Sequence, residues 1–321
     1  MALQNLENPV VEKPNGLTPG IVSVIILTHN EAHHIGRAID SIKPFAKEVF
    51  IIDSGSSDGT IDIAAAKGAR ILHNPWKNHA TQFQWGLDNA PVSGEWIMRL
   101  DADEIIENDL AQLLTSALSE LPDDVTGVNL NRKHIFMGRW IKHGGRYPVT
   151  LLRIWRTGLA HVEDRWMDEH IILNSGRAVT FDGGFSDVNL GDLSFFTNKH
   201  NKYATLEAVE VLKQRYQLIN TAEAFQFQGP EQAKRKRVLK ERLYNKLPLG
   251  LGPILYFLYR YIFQLGILDG KEGAIYHGLQ GLWYRFLVDA KVLELNRAIE
   301  NIPEKPAKVQ RLKEITGLKL N

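Results

Sequence analysis

The sequence contains no cysteine and almost no excess charge, since 38 Lys and Arg residues balance 37 Asp and Glu residues in a chain of 321. The lack of cysteine excludes disulfides, thiol catalysis and cysteine metal ligands. A net charge of +1 gives no general attraction to nucleic acid, so we expect no nucleic-acid partner. The first twenty residues lack the basic start and apolar centre of a signal peptide, and we expect a loose leader there.

Apolar runs alternate with helical patterns over the first hundred residues. Short runs rich in Ile and Val predict strands at 21–27, 48–53, 70–74 and 95–100. Helical spacing and capping residues predict helices around 35–42, at 56–69 and at 78–90. This alternation predicts an α/β fold with a mostly parallel sheet and right-handed crossovers. No G-x-G-x-x-G follows the first strand, which disfavours the usual dinucleotide-binding fold.

Three polar clusters follow predicted strands: "THNE" (28–31), "DSGSSDGT" (53–60) and "DADE" (101–104). Each of these acids, taken alone, is explained equally well as a helix cap or a turn residue and as a ligand-binding residue. Three clusters at the carboxyl edge of one sheet favour a ligand site instead. Crowded carboxylates repel unless a cation or a set of donors faces them. Oxygen ligands without Cys or His suit Mg²⁺ or Mn²⁺, and Asp101 and Asp103 are the candidate ligands.

Three blocks together resemble the nucleotide-sugar domain of family-2 inverting glycosyltransferases: "SVIILTHNEAHHIGRAIDSI", "VFIIDSGSSDGT" and "GEWIMRLDADE". Later blocks, including "RWMDEHI" and "NKHNKYATLEA", resemble a bacterial subgroup that builds lipopolysaccharide core, O-antigen or capsule. The resemblance implies a GT-A (Rossmann-like) fold with helices on both faces of the sheet. It also implies that the donor is a nucleotide-diphosphate sugar, with a UDP-sugar as the expected one.

The resemblance assigns donor-binding roles to Thr28, Asn30, Glu31, Asp53, Asn78, Gln82 and Asp101. Among them, Asp53 matches the acid that recognises the base, and Asp101 the acid near the ribose. Asp103 matches the ligand of a metal that bridges the diphosphate. Arg99, directly before these acids, fits a catalytic role and a structural ion pair equally well.

A base must take the proton of the attacking acceptor hydroxyl, and the "WMDEHI" block supplies two candidates, Asp168 and Glu169. Relatives often have Val-His-Glu here, so Asp168 occupies a position where histidine is common, while Glu169 keeps its acid. The choice between them stays open. The alternative is a turn whose acids pair with Arg165 or Arg153.

The C-terminal third changes character. A strongly basic run at 233–246 precedes an apolar, aromatic run at 247–268, and a second amphipathic segment follows at 274–295. We expect these segments to bind an anionic membrane surface in plane, with Arg260 and Gln264 as a narrow polar stripe. A packed helical subdomain and a dimer interface are the alternatives. The expected organisation is therefore a leader (1–20), a catalytic domain (21–230), a membrane-associating region (231–300) and a tail (301–321).

The sequence thus predicts an inverting, metal-dependent glycosyltransferase that acts on a lipid-linked or lipopolysaccharide glycan. Its expected location is the inner face of a bacterial cytoplasmic membrane, and its oligomeric state stays open. One alternative is a polyprenyl-phosphate glycosyltransferase, whose acceptor needs cationic residues rather than a base. Another is a non-catalytic membrane scaffold that binds sugar nucleotides.

Overall fold

The computed structural model describes residues 20–163, 170–218, 248–318 and 320. These residues form two compact units. The first comprises the described residues up to 142 together with 146–190, and the second comprises 143–145 and the described residues from 191 onward. The predicted leader, apart from residue 20, and the basic run at 233–246 lie outside the described residues.

The first unit is built on strands β1 (Val22–Thr28), β2 (Ala46–Asp53), β3 (Arg70–His73), β4 (Trp96–Asp101), β5 (Glu104–Ile106), β6 (Val125–Phe136), β7 (Arg139–Trp140), β8 (Val149–Arg156), β9 (Ala160–Val162), β10 (Ile171–Leu173) and β11 (Arg177–Val188). Its α-helices are α1 (Ile35–Ile42), α2 (Thr60–Ala66), α3 (His79–Asn89) and α4 (Asn108–Ala117), and a 3₁₀ turn covers Leu118–Glu120. The four predicted strands are confirmed as β1 to β4.

The main sheet runs in the order β3-β2-β1-β4-β8-β6-β11-β5, with β7 added beside β6. Strands β3, β2, β1 and β4 are mutually parallel. Strand β8 is antiparallel to both β4 and β6, β11 is parallel to β6, and β5 is antiparallel to β11. Strands β9 and β10 form a separate pair. The predicted parallel half is therefore followed by a mixed half.

Alternate residues of β1 pack into different cores, which explains its continuous apolar run. Val24 and Ile26 join the core that contains α1 and α4. Ile25 joins the opposite core, beside Phe83 of α3 and Trp155 of β8. A central strand buried on both faces carries no polar alternation. The predicted α/β sheet with helices on both faces is thus confirmed.

The second predicted helix starts later than expected. It was predicted at 56–69 but runs only from Thr60 to Ala66. Gly59 precedes it with φ of 88°, a left-handed conformation in which glycine meets no Cβ clash. The residues before it form a turn instead, because Asp53 and Asp58 bind its backbone and hydroxyl groups.

The second unit is helical, with α5 (Leu193–Tyr216), α6 (Leu251–Leu258), α7 (Gly270–Tyr276), α8 (Tyr284–Ile299) and α9 (Lys305–Thr316). A π-helical turn (Tyr259–Phe263) and a 3₁₀ turn (Gly266–Asp269) follow α6, and a second π-helical turn (His277–Trp283) joins α7 to α8. Its main core joins α5, α8 and α9 through Leu212, Leu295 and Leu312. The predicted C-terminal helical region is confirmed.

Within the described residues, no individual helix has both the length and the apolar character needed to cross a membrane. One pair, Leu251–Phe263 and Gly266–Ile299, meets those two criteria only when taken together, and it is bent by 72°.

Candidate functional site

The three polar clusters meet at one edge of the sheet. Strand β1 lies between β2 and β4 and is parallel to both. In this register Thr28 stands beside Asp53, and Leu27 stands beside Asp101. The carboxyl ends of three neighbouring strands therefore carry the polar residues, which is where ligands bind in open α/β sheets.

Asp53 organises the turn that follows β2. Its side chain is fully buried. One carboxylate oxygen accepts hydrogen bonds from Thr28 Oγ1 at 2.9 Å and Ser56 Oγ at 2.5 Å. The other accepts from the backbone N–H groups of Gly55 at 2.8 Å and Ser56 at 2.9 Å. Burial opposes ionisation, but the bonds from Ser56, Gly55 and Thr28 hold the pKa of Asp53 below its usual range.

These four bonds use the acceptor positions of a carboxylate, which number about four. The resemblance assigns Asp53 to recognition of the nucleotide base. A base N–H group could reach the carboxylate only by displacing the Thr28 or Ser56 hydroxyl, both of which can rotate. Base recognition by Asp53 stays a prediction, whereas its hydrogen bonds to the turn after β2 are observed.

The loop after β1 is bound to this turn. Asn30 has φ of 58°, and its Oδ1 accepts a hydrogen bond from the Ser57 N–H at 2.9 Å. The Glu31 N–H donates to Thr60 Oγ1 at 2.7 Å, while its carboxylate lies 2.7 Å from His34 Nδ1. Thr28, Asn30, Glu31 and Asp53 are therefore brought together as one connected group.

Asn78 and Gln82, at the start of α3, have structural partners. Asn78 caps the helix, with its Oδ1 accepting from the Thr81 N–H at 2.8 Å. Gln82 is buried, and its amide exchanges hydrogen bonds with the side chain and carbonyl of Asn74 at 2.8 and 3.0 Å. Their predicted contacts with the donor stay predictions.

The acids after β4 face arginines. Arg153 of β8 is buried, and its Nη2 lies 2.6 Å from Glu104 Oε1 and 3.1 Å from Asp101 Oδ2. Arg132 Nη1 approaches the same Glu104 oxygen at 3.4 Å, and Arg99 Nε lies 3.5 Å from Asp101 Oδ1. The other Glu104 oxygen accepts the Asp101 N–H at 2.9 Å. The donors that the crowded carboxylates require are thus supplied by the chain itself.

The two acids in this cluster titrate in opposite directions. Burial disfavours the charge of Asp101, but Arg153, Arg99 and Arg132 hold its pKa well below its usual range. Burial raises the pKa of Glu104 to about 8; Arg153 opposes this shift and the negative charge of Asp101 adds to it. Asp101 is therefore ionised at neutral pH.

Asp103 lies on the other side of the short β4–β5 turn. Its Oδ2 accepts from Asn189 Nδ2 at 3.0 Å, and its carbonyl accepts from the Val188 N–H at 2.9 Å. Arg37 donates to the Val188 carbonyl. Burial lowers the pKa of Arg37, and the nearby carboxylates of Asp103 and Asp187 oppose this shift.

The donor set fits a metal shared with a diphosphate better than an all-protein cage. Among residues 20–163, 170–218 and 248–318, no group of three or more His, Cys, Asp or Glu side chains could hold a metal ion. Both oxygens of Asp101 lie near arginines, and Asp103 accepts a hydrogen bond from the neutral amide of Asn189 and lies near Arg37. Mg²⁺ is commonly bound by one or two carboxylates and completed by substrate phosphates and water. Asp103 suits that arrangement.

The candidate bases, Asp168 and Glu169, lie outside the described residues. In the alternative interpretation, these acids would pair with Arg153 or Arg165. The described contacts of Arg153 are instead with Asp101 and Glu104.

Sequence reasoning missed the partners of the acid cluster. Arg153 interrupts the apolar strand "VTLLRIWR", and a charge in such a run signals a buried ionic partner. Glu104 belongs to the motif "DADE", but the sequence predicted neither a partner nor a function for it. Nothing in the sequence near Asn189 indicated contact with Asp103, from which it is separated by 86 residues.

The chain is similar in sequence to known glycosyltransferases. The model of Glycosyl transferase family 2 matches residues 23–176, a range that includes every predicted site residue. The lipopolysaccharide core biosynthesis glycosyltransferase LpsC of Rhizobium meliloti is 26% identical over 85% of this chain and 92% of its own length. An uncharacterized glycosyltransferase of Rickettsia bellii is 38% identical, over 28% of this chain and 30% of its own.

Solved structures align over a smaller part of the chain. Mannosyl-3-phosphoglycerate synthase from Rubrobacter xylanophilus covers 35% of this chain and 40% of its own, with 23% identity and a TM-score of 0.31. Glucosyl-3-phosphoglycerate synthase from Mycobacterium tuberculosis, crystallised with Mn²⁺, UDP and glucosyl-3-phosphoglycerate, covers 39% and 52%, with 23% identity and a TM-score of 0.28. The family therefore rests on the sequence matches. Residues 23–176 are a family-2 glycosyltransferase domain, and the chain is a glycosyltransferase.

Proposed function

We propose that this glycosyltransferase moves one sugar from a nucleotide-diphosphate donor, expected to be a UDP-sugar, to a lipid-linked or lipopolysaccharide glycan, with inversion at the anomeric carbon. The observation that carries the proposal is the register of three parallel strands, which brings Asp53 and Asp101 to one edge on either side of β1. The likeness to LpsC supports an acceptor of the lipopolysaccharide core class.

Asp103 is the proposed protein ligand of Mg²⁺ or Mn²⁺, and the donor diphosphate would complete the coordination. When bound, such an ion neutralises charge that develops on the departing diphosphate. Asn189 holds one oxygen of Asp103 at 3.0 Å and so orients the carboxylate.

The protein's own residues hold the donor end in place. Arg153 keeps Asp101 ionised, so that its carboxylate can accept hydrogen bonds from the ribose hydroxyls. Asp53 fixes the turn after β2, and the Asn30 side chain joins that turn to the loop after β1. This prearranged polar surface reduces the ordering that donor binding requires.

Asp168 or Glu169 is proposed to take the proton of the acceptor hydroxyl as its oxygen attacks the anomeric carbon. The bond from that carbon to the diphosphate breaks as the new glycosidic bond forms. Because this is one displacement with attack opposite to the leaving group, the configuration inverts and no covalent enzyme intermediate is needed.

The test is a transfer assay with the full chain, a panel of nucleotide sugars and deep-rough lipopolysaccharide or lipid-linked glycan acceptors, with Mn²⁺ or EDTA. We expect acceptor-dependent release of the nucleoside diphosphate and an inverted linkage in the product by NMR. Transfer to polyprenyl phosphate alone would replace the proposed acceptor class. Binding of the donor without turnover on any acceptor would contradict the proposal and favour the scaffold.

A further inference from the structure

The segment from 248 to 269 in the second unit buries its charged residues and exposes many of its apolar ones. Its charged residues are Arg260 and Asp269, and they are only 3% and 2% exposed. Phe263, between them, is 77% exposed. Arg260 was predicted to form a narrow polar stripe with Gln264 on a membrane-bound helix, but Arg260 is buried inside the second unit.

Arg260 points inward because buried acceptors within the second unit bind it. Its Nε donates to the Gly144 carbonyl at 2.7 Å, and its Nη1 donates to Gln280 Oε1. Its guanidinium also lies 5.4 Å from the centre of the Tyr256 ring. Two of the three guanidinium nitrogens thus donate to a backbone carbonyl and a side chain of the same unit.

Asp269 is also satisfied within the second unit. Its carboxylate accepts the His143 N–H at 3.0 Å and lies 2.7 Å from His143 Nδ1. Buried His277 places Nε2 at 3.7 Å from the same carboxylate. Buried Asp269 and His277 are therefore grouped with partly buried His143, while large apolar side chains nearby are exposed.

The apolar surface is concentrated at a bend. We call it the apolar apex, and its members are Ile262, Phe263, Leu265, Ile267 and Leu268, whose exposed fractions run from 51% to 77%. The bend of 72° lies between Leu251–Phe263 and Gly266–Ile299, where Leu265 has φ of 60°. Five large apolar side chains are thus presented within seven consecutive residues.

This distribution is the reverse of the one that water favours. Soluble proteins rarely expose a concentrated group of large apolar side chains without a partner. Ionisable groups in lipid, by contrast, face the protein interior and pair with one another or with backbone carbonyls. The inward Arg260 and Asp269 and the outward apex match the second pattern, and an interface with water-soluble protein does not require buried charges beneath it.

Charge in the preceding sequence complements an anionic surface. The run "AKRKRVLKERLYNK" (233–246) contains seven Lys and Arg residues and one Glu. Basic residues beside an apolar insertion bind anionic headgroups, each contributing about 1 kcal/mol near the surface. The helical segment Leu251–Phe263 is about 20 Å long at 1.5 Å per residue, which is too short for a hydrocarbon core of about 30 Å.

We propose that the apolar apex inserts into one leaflet of an anionic bilayer without crossing it. The inference rests on the proposed function in one respect: it names the surface that would hold the enzyme beside a lipid-borne acceptor. Insertion itself needs neither donor nor turnover, so it is measured separately from transfer.

The absence of cysteine makes a direct test possible, because a single introduced cysteine is labelled uniquely. Phe263→Cys, once labelled, carries an environment-sensitive NBD fluorophore at the apolar apex. Ile315→Cys carries the same fluorophore on α9 as the matched control, because Ile315 is 42% exposed. Each labelled full-length chain is mixed with vesicles of phosphatidylcholine alone or with one-third phosphatidylglycerol.

We expect the label at 263 to shift to the blue and to be quenched by lipids that carry a nitroxide on the acyl chain. The label at 315 should change little. The shift should be larger with phosphatidylglycerol, and the bound fraction should fall but not vanish in 1 M NaCl. Equal responses at both positions, or none at 263, would overturn the proposal.

A flotation assay separates insertion from self-association. Phe263→Glu combined with Ile267→Glu should lower the vesicle-bound fraction at least about tenfold, whereas Ile315→Glu should leave it unchanged. Circular dichroism and the midpoint of urea unfolding are the controls that show whether each variant is folded. The proposal is wrong if wild type does not bind vesicles and light scattering shows a dimer that is absent in the double variant. The apolar apex would then be a subunit interface. Transfer on a soluble acceptor analogue should survive the double variant, so a failure of insertion is distinguishable from a failure of the proposed function.

Discussion

Replacing Arg153 with methionine tests the ionic centre of the site. Arg153 is 4% exposed and bridges Asp101 and Glu104 through one nitrogen, at 3.1 and 2.6 Å. Removing one partner of a buried ion pair commonly costs about 3–5 kcal/mol. The cost is limited here because Glu104 can take up a proton. Neutralising a carboxyl with an ordinary pKa of 4.5 costs at most about 3.4 kcal/mol at pH 7, and the raised pKa of Glu104 means that wild type already bears part of it. We therefore expect Arg153→Met to lower the free energy of unfolding by about 2–4 kcal/mol.

The loss should depend on pH with a defined sign. Asp101 has a depressed pKa, so in wild type it contributes stability above its ordinary pKa of 3.8, and this contribution is lost as the pH falls through the folded value. Glu104 has a raised pKa, so wild type loses stability as the pH rises from 4.5 toward about 8, and the variant should lose at least as much. The Asp101 contribution is constant between pH 5 and pH 8. Without Arg153 the pKa of Glu104 should rise further, so the deficit of the variant grows as the pH passes about 8, where the wild-type carboxyl ionises and that of the variant does not.

Urea unfolding at pH 6, 7.5 and 9, followed by tryptophan fluorescence, measures this deficit. Arg153→Lys keeps the charge and should recover much of the stability. Arg156→Met on the same strand is the matched control, because its carboxylate partner Glu95 has a half-exposed side chain and carries little burial penalty. A deficit below about 1 kcal/mol at pH 7, or one that is constant with pH, would show that Arg153 acts only by packing.

Two further predictions address the turn and the base. Asp53→Ala leaves the backbone N–H groups of Gly55 and Ser56 without their acceptor and should lower the free energy of unfolding by about 1–3 kcal/mol. Asp53→Asn should cost less, because its amide oxygen can still accept from both N–H groups, and equal losses would show that these bonds contribute little. Asp168→Asn and Glu169→Gln should keep donor affinity by calorimetry, and at least one should lose about a hundredfold in turnover. Near-normal turnover in both would mean that the base lies elsewhere or that the acceptor is a phosphate.

The parallel half of the sheet was predictable because its signals are local. A run such as "IVSVIIL" has no polar alternation, which only a strand buried on both faces tolerates. Once the strands are parallel, the positions of Asp53 and Asp101 at one edge follow from the topology. The sequence therefore predicted that Asp53 and Asp101 lie at one edge of the sheet without any knowledge of distances.

The ionic contacts were not predictable, because they depend on distant pairings. Arg153 reaches Glu104 only because β8 inserts antiparallel between β4 and β6, which are themselves separated in the chain by β5 and α4. The inward turn of Arg260 likewise depends on the Gly144 carbonyl, 116 residues away. Helical spacing predicted which side chains share a face near Arg260, but not which face is buried.

The most direct test of the central claim, a metal-assisted site for a nucleoside diphosphate at the β1–β2–β4 edge, is calorimetric titration of the full chain with UDP in Mn²⁺ and in EDTA. The expected result is that Mn²⁺ tightens UDP binding at least about tenfold in wild type and in Asp62→Asn, an exposed acid on α2, but not in Asp103→Asn. Asp103→Asn should unfold at the wild-type urea midpoint, since an amide oxygen can still accept from Asn189. If Asp103→Asn binds UDP with the same gain from Mn²⁺ as wild type, the metal site is not at Asp103 and the account is contradicted.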